Sequence, residues 1–141
     1  SIKEYAISGS KHGPGSQSGS GKTPLGVHII SEKFGEGQPR GMIFKARQPT
    51  GEVAEIITAP KDVETDHVTS RIMWLSGQEP GKNQGGAVDS HDRYIYINGT
   101  DEEGLLGQPA SHGCIRMYND EVIALFEKVR VGTLVLILEH A

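Results

Sequence analysis

The sequence lacks the features that would place it in several large classes of protein. It has one cysteine among 141 residues, so no disulfide can form within the chain, and the cysteine count does not indicate a compartment. No apolar run approaches the roughly 18 residues of a membrane-spanning helix, and the first residues lack the basic-then-apolar pattern of a secretory signal, so we expect neither. The net charge is −4 without a basic stripe, which argues against nucleic acid as the main partner.

The composition favours a β protein of one domain. With 19 glycines and only 35% hydrophobic residues, it suits strands joined by many turns better than a helical bundle. A chain of 141 residues has the usual size of one domain and can bury roughly two thirds of its unfolded surface. No internal repeat divides it. We therefore expect a single, mainly β domain over residues 1–141.

Residue type and periodicity predict where the strands lie. Alternating or β-branched runs predict strands over residues 4–8, 27–30, 42–46, 71–76, 93–97 and 134–138, with a further short strand over 53–58. We expect the strands over 27–30 and 42–46 to form a two-strand unit. The strand over 71–76 should be central, with Trp74 in the core, and the apolar run over 134–138 should be a buried closing strand.

The remaining segments predict turns and one helix. Glycine and serine make residues 9–22 a long surface loop, and turns are expected at residues 48–51 and at Asn98-Gly99. Asn119 or Asp120 is expected to cap an amphipathic helix, because apolar residues then recur at helical spacing as far as Val129. One helical turn is expected between residues 100 and 110.

A glycine-rich segment near the start resembles a phosphate-binding loop but does not meet its requirements. The run over residues 19–23 matches the end of that motif, yet Ser16 stands where the motif needs its first glycine. Pro24 is followed by a strand-like run, whereas the motif needs a helix whose N-terminus binds phosphate. We therefore expect no nucleotide site.

The single cysteine lies in a segment that carries candidate catalytic groups. The segment reads Ser111-His112-Gly113-Cys114-Ile115-Arg116-Met117. A lone thiol of this kind has two interpretations, a nucleophile or a small buried hydrophobic side chain. A nucleophilic thiol must lose its proton, which a neighbouring histidine, cation or helix N-terminus promotes.

The order of residues in this segment favours the nucleophile. In an extended segment His112, Cys114 and Arg116 share one face, because side chains two residues apart point the same way. Gly113 allows its own amide and that of Cys114 to face a developing oxyanion. His112, Arg116 and Ser111 each also have a structural interpretation, as a loop hydrogen bond, an ion pair and a turn cap. Together they favour acyl transfer by Cys114.

A metal centre is another possible use of these residues. His112 and Cys114 form a His-x-Cys corner that His91 or Asp92 would have to complete. One cysteine and scattered histidines do not make a four-ligand set, so we expect no metal.

Three segments together resemble one known family. The cysteine segment with its Asn-Asp helix start resembles the signature of the L,D-transpeptidase catalytic domain (YkuD-like) of bacterial cell-wall enzymes. Residues 22–26 resemble that family's Thr-Pro-x-Gly turn, and residues 95–100 resemble its second catalytic segment. The resemblance implies a mainly β sandwich or barrel-like domain with one or two short helices, and no metal or organic cofactor.

The resemblance also implies a reaction and a compartment. Cys114 would attack a peptidoglycan stem peptide between its third residue, often a diamino acid, and the terminal D-alanine, forming a thioester. An amine of a second, acceptor stem would resolve the thioester into a cross-link between two third residues, whereas water would make the site a carboxypeptidase. The family's usual place is the periplasm or outer cell envelope. The catalytic candidates are Cys114, His112, Gly113 and the position of Asn98, and the candidates for substrate binding are Ser111, Arg116, Gly99 and Thr100.

One position departs from the family pattern. A histidine normally precedes the Gly-Thr pair and acts as the base for the cysteine, but this chain has Asn98 there. An amide cannot accept the thiol proton. Three hypotheses follow. In the first, His112 is the base, and in the second, Asn98 only orients the thiol or the substrate while turnover is slow. In the third, the domain binds peptidoglycan without turnover, or Asn98 is a substitution introduced into this sequence. A cysteine hydrolase of another peptide is a further alternative.

Overall fold

The computed structural model describes Tyr5, residues 7–60, residues 67–106, Ser111 and residues 113–139. Within these ranges it contains seven β-strands, one α-helix and two single turns of 3₁₀-helix, at Gly86–Val88 and Glu103–Leu105. The regular elements are β1 (Gly26–Phe34), β2 (Met42–Lys45), β3 (Gln48–Val53), β4 (Val68–Gly77), β5 (Tyr96–Thr100), β6 (Ile115–Met117), α1 (Asn119–Lys128) and β7 (Leu134–Ile137). The prediction of a mainly β fold is confirmed.

Strand β4 is the centre of the sheet. One of its edges pairs antiparallel with β1 and, at its first residues, with β2, while the other edge pairs antiparallel with β5. The sheet continues from β1 to β7 and from β2 to β3. On the other side β6 lies parallel to β5. The side chains of β4 are largely buried, because a cluster of hydrophobic side chains packs on each of its faces.

Two clusters of buried side chains lie on opposite faces of β4 and β5. Met73 and Ile97 point to the side covered by α1, whereas Ile72 and Tyr96 point to the other side. We name these the helix-side core and the thiol-side core, because Cys114 packs against the second. The helix-side core consists of Ile30, Met73, Leu75, Ile95, Ile97, Ile115, Met117, Val122, Phe126 and Ile137.

Several predicted elements are confirmed. Strands lie where the runs at 27–30, 42–46 and 71–76 predict them, with β4 central. Helix α1 begins at Asn119, and Glu103–Leu105 forms the expected helical turn. Trp74 is half-buried and packs against the thiol-side core. Of the strand predicted over 4–8, Ser8 pairs with Arg116 as an isolated bridge, while Glu4 and Ala6 lie outside the described residues.

The turn predicted at residues 48–51 is wrong, because these residues lie in β3. The chain reverses instead at Ala46 and Arg47, whose φ angles of 48° and 67° are left-handed, and Lys45 pairs with Gln48 across them. Two-residue hairpin turns of this kind usually carry Asn or Gly, so this turn left no signal in the sequence. The strand predicted over 53–58 is also wrong, since β3 ends at Val53.

Pairing and strand limits also differ from the prediction. β1 and β2 do not form a two-strand unit, because both pair with β4. β5 begins only at Tyr96, since Tyr94 has a left-handed φ of 56°. The Asn98-Gly99 pair lies inside β5 rather than in a turn. Tertiary pairing has overridden the local turn preference of this pair.

The apolar run at the end of the chain is not a buried strand. β7 lies at the edge of the sheet, and Ile137 alone among its four residues is fully buried. Leu134 is 71% exposed and Leu136 is 60% exposed. The run is apolar on both faces, so it gave no alternation from which an exposed face could be predicted. No helix within the described ranges is both long and apolar enough to cross a membrane.

Candidate active site

The segment around Cys114 is held as a tight turn that leads into β6. The Ser111 hydroxyl donates to the carbonyl oxygen of Cys114 at 2.7 Å and accepts the amide of Gly113 at 3.2 Å. The Thr23 hydroxyl donates to the carbonyl oxygen of Gly113 at 2.9 Å. Gly113 has a φ of 128°, which favours glycine. Ser111, Thr23 and Gly113 therefore fix the backbone beside the thiol.

This arrangement changes the expected role of the Gly113 amide. The sequence predicts that the amide faces a developing oxyanion, but it donates to the Ser111 hydroxyl within the turn. A Cβ at position 113 would meet the Lys22 carbonyl oxygen and the Ile95 side chain at an ordinary contact distance of 3.4 Å, so the φ angle rather than a lack of space favours glycine. Gly113 is thus required for the shape of the turn.

Cys114 is half-buried and lines a pocket of about 370 Å³. Its Sγ lies 3.4 Å from the carbonyl oxygen of Tyr94, to which the thiol can donate. We call this cavity the thiol pocket. Its described lining consists of Ser18, Gly19, Gly21, Arg93, Tyr94, Ile95 and Cys114. A thiol at the wall of a pocket matches a nucleophile better than a fully buried hydrophobic side chain.

Arg93 brings a positive charge to the thiol pocket. Its Nη2 donates to the Lys22 carbonyl oxygen at 2.6 Å and its Nη1 reaches the Gly15 carbonyl oxygen at 3.4 Å. The guanidinium therefore attaches the 9–22 loop to the wall of the pocket. Partial burial lowers the pKa of Arg93, and the charge of a Cys114 thiolate opposes that shift. Sequence analysis did not identify Arg93, because it lies outside the motifs.

Asn98 lies in β5 on the same face as Tyr96 and directly beside Arg116 of β6. It is 3% exposed, and its Nδ2 donates to the Gly99 carbonyl oxygen at 2.6 Å. Its Oδ1 is buried and has no hydrogen-bond partner among the described residues. Position 98 is therefore a buried amide with one unsatisfied acceptor.

Three other predicted site residues are buried below the site and are not among the described lining of the thiol pocket. Arg116 forms an ion pair with Glu102 at 2.8 Å, with side chains 3% and 1% exposed. The Thr100 hydroxyl accepts the Glu102 amide. A Cβ at Gly99 would lie 2.5 Å from Asn119 Oδ1, so that position has no room for a side chain. His112 lies outside the described residues.

Asn119 organises this buried polar layer. Its Oδ1 accepts hydrogen bonds from the hydroxyls of Thr69 and Ser70, and its Nδ2 donates to the Thr100 carbonyl oxygen and to Glu103. Asn119 thus joins β4, β5 and the start of α1 rather than capping the helix, whose N-cap is Tyr118. The acidic run at 101–103 directly after a strand was the only sequence signal for this layer.

An aromatic cluster lies beside the thiol. The Trp74 ring stacks on His91 with centroids 4.0 Å apart, and Arg47 lies over the rings of Trp74 and Tyr94. Arg47 also donates to the Tyr96 hydroxyl at 2.9 Å. The Nε2 of His91 faces Glu32 at 3.4 Å. The contacts of His91 are thus with Trp74 and Glu32.

A buried histidine holds the segment that precedes β5. His28 Nδ1 lies 3.0 Å from the Gly26 carbonyl oxygen, which can only accept, so this nitrogen carries the proton. Its Nε2 then accepts the Ser90 hydroxyl at 2.8 Å. Burial lowers the pKa of His28, which keeps the ring neutral. Ser90 in turn accepts the amide of Ile95 through its carbonyl oxygen at 3.1 Å.

Comparison with known proteins finds a family whose catalytic domain matches this chain. The L,D-transpeptidase catalytic domain family, YkuD, matches residues 1–137. The putative L,D-transpeptidase YqjB of Bacillus subtilis (strain 168) is 53% identical over 49 residues, which are 34% of this chain and 28% of that protein. The probable L,D-transpeptidase YbiS of Escherichia coli (strain K12) is 43% identical over 48 residues, which are 34% of this chain and 16% of that protein. The matches thus span less than a third of these curated relatives.

A solved structure supports the fold independently. Bd1075 of Bdellovibrio bacteriovorus superposes with a TM-score of 0.51 over 99% of this chain and 39% of that chain, at 16% sequence identity. At this identity the likeness concerns the fold alone. Taken with the family match over nearly the whole sequence, these findings show that the chain belongs to the L,D-transpeptidase catalytic domain (YkuD) family.

Proposed function

We propose that this domain is a cysteine-dependent L,D-transpeptidase that acts on the stem peptides of peptidoglycan. The observation that carries the proposal is the placement of Cys114 at the wall of the thiol pocket, on a turn fixed by Ser111 and Thr23. Membership of the family supplies the reaction class. The charge of Arg93 beside the thiol favours the thiolate, which is the nucleophilic form.

The reaction proceeds in two acyl transfers. The Cys114 thiol gives its proton to a base, and the thiolate attacks the carbonyl carbon of the third stem residue. The peptide bond to D-alanine breaks, the departing amine takes up a proton, and the acyl group remains on sulfur as a thioester. An amine of an acceptor stem then attacks the thioester, which forms the cross-link and returns the proton to the thiol.

The proton acceptor in this proposal is His112. Asn98 occupies the position of the family's base, and an amide is not basic enough to take a thiol proton. His112 is separated from Cys114 in the sequence by Gly113 alone. His91, in contrast, is engaged by Trp74 and Glu32.

The buried residues of the site support the reaction indirectly. Arg116, Thr100 and Gly99 are candidates for substrate binding from the sequence. Because their contacts lie in the buried polar layer, we propose that they fix β5 against β6 and that Ser111 fixes the turn. The substrate then meets the pocket wall formed by the 9–22 loop, Arg93 and Tyr94.

A second candidate function is favoured by Asn98. With an amide at this position and its Oδ1 unsatisfied, the domain would bind stem peptides in the thiol pocket without turnover. If water resolves the thioester instead of an amine, the same residues give a carboxypeptidase. We place the protein in the periplasm or outer cell envelope, where peptidoglycan lies.

The functions are separated by following a stem tetrapeptide that ends in D-alanine. The transpeptidase releases D-alanine and, with an acceptor stem present, yields a cross-linked dimer by mass spectrometry. The carboxypeptidase releases D-alanine without dimer, and the binder retains the peptide intact. Cys114→Ala is the control that must abolish release.

A further inference from the structure

The thiol pocket has one positively charged side chain among its described lining residues. That side chain is Arg93, and the other described lining residues are small, aromatic or aliphatic. No ion pair joins Arg93 to a carboxylate in the part of the chain that the structure describes. A cation without a carboxylate in the wall of a pocket suits an anionic ligand.

The guanidinium is held in place but keeps donors available. Two of its five N–H donors reach the backbone carbonyls of Lys22 and Gly15, which fix its orientation. Backbone carbonyls carry no net charge, so they leave the positive charge uncompensated. Arg93 also lies near the thiol turn, since a Cβ at Gly113 would be 3.9 Å from its Nη2.

The proposed donor substrate has an anion at a fixed distance from the attacked carbon. The leaving residue is terminal, so its carboxylate carbon is separated from the attacked carbonyl carbon by three bonds. Standard bond lengths put these two carbons less than about 4 Å apart. When the attacked carbon lies at Cys114 Sγ, the carboxylate must therefore lie within the thiol pocket.

We propose that Arg93 binds the terminal carboxylate of the donor stem peptide and thereby restricts the site to scissile bonds one residue from a chain end. This inference rests on the proposed function, because it takes the donor from there. A guanidinium suits this task, since its planar donors match a carboxylate and it stays charged at neutral pH. Arg47 is not equivalent, because it is engaged by Tyr96 and lies over Trp74.

The test measures binding rather than turnover. In the Cys114→Ala background, the dissociation constants of a stem tetrapeptide ending in D-alanine and of its C-terminal amide are measured by calorimetry. The free acid should bind about 10-fold to 100-fold more tightly, as expected for a charge-assisted hydrogen bond. Arg93→Gln should bring the ratio to within about 2-fold, and Arg93→Lys should retain part of it.

Arg40→Gln is the matched control, because it removes the same charge at the surface, where Arg40 pairs with Asp120. It should leave the ratio of acid to amide unchanged. Equal affinities in the parent protein overturn the proposal, whatever the variants do. It is also overturned if Arg93→Gln, with an unchanged melting temperature, keeps the preference for the acid, or if neither peptide binds.

Failure of the proposed function gives a different result. A wild-type protein that prefers the free acid through Arg93 but never releases D-alanine contradicts the transpeptidase and retains the carboxylate site. Release of D-alanine from the free acid and of D-alaninamide from the amide at equal rates contradicts the role of Arg93 alone.

Discussion

The two segments that meet at the site, β5 and the turn leading into β6, differ in what they place there. They are parallel neighbours with Asn98 beside Arg116. The turn places Cys114 at the wall of a pocket, whereas β5 places Asn98 in a buried position. The thiol is held by Ser111 and Thr23, neither of which depends on residue 98. Cys114, the proposed nucleophile, and position 98 are therefore held by separate sets of contacts.

Replacing Cys114 should give the largest effect, and it tests whether the turn before β6 carries the nucleophile. Cys114→Ser should lower D-alanine release from a stem tetrapeptide by more than about 1,000-fold, because a serine hydroxyl is far less acidic than a thiol and forms much less of the nucleophilic anion at neutral pH. The rate of release under single-turnover conditions is the measurement. Retention of substantial activity would show that another residue attacks the substrate.

The next largest effect is expected from breaking the buried ion pair between Arg116 of β6 and Glu102, which follows β5. Glu102→Gln removes one partner of the buried ion pair with Arg116 and should lower the free energy of unfolding by about 3 kcal/mol. Asp120→Asn, in the exposed pair with Arg40, should cost less than about 1 kcal/mol. Urea unfolding of both variants is the measurement. Similar losses would show that the buried layer does not fix β5 against β6.

Placing a histidine at position 98 tests whether β5 can supply a base to the thiol. Asn98→His should raise the rate of thioester formation by up to about 100-fold, because it adds a second general base, at the family's position, to the proposed base His112. Asn98→Gln is the matched control, since it lengthens the side chain but keeps an amide. An equal gain in both variants would mean that space rather than basicity limits the rate, and no gain would favour His112 as a sufficient base.

The smallest effect is expected on stability, from His28, which holds the segment before β5 through Ser90. Burial lowers the pKa of His28 below 6.5, so the unfolded chain binds a proton that the folded chain does not. Stability is thus present above pH 6.5 and is lost as the pH falls below it, with a slope of at most about 1.4 kcal/mol per pH unit. His28→Gln should remove this component, as measured by unfolding between pH 5 and 8. An unchanged slope would contradict a neutral His28.

The sequence predicts the elements whose signal is local and misses those set by pairing. The cysteine segment, the central strand around Trp74 and the start of α1 follow from residue type and spacing. The Ala46-Arg47 reversal and the continuation of β5 through Asn98-Gly99 do not, because neighbouring strands determine them. Arg93 was missed for a related reason, since only the folded 9–22 loop brings it to the thiol.

The burial of Arg116 could not be predicted from the sequence, because it depends on residues that only the fold brings together. Arg116 has the same parity as Cys114, which sequence analysis took as a shared functional face. Arg116 lies in β6, yet its side chain is buried in an ion pair with Glu102. Periodicity gives the direction of a side chain but not what lies above it.

The most direct test of the account is covalent labelling of Cys114. An acylating carbapenem is incubated with the wild-type protein, and the site of modification is located by peptide mass spectrometry over time. The account predicts a single adduct on Cys114 that forms slowly in the wild type and faster in Asn98→His. An adduct on another residue, or none in either protein after prolonged incubation, would contradict Cys114 as the acyl-transfer nucleophile.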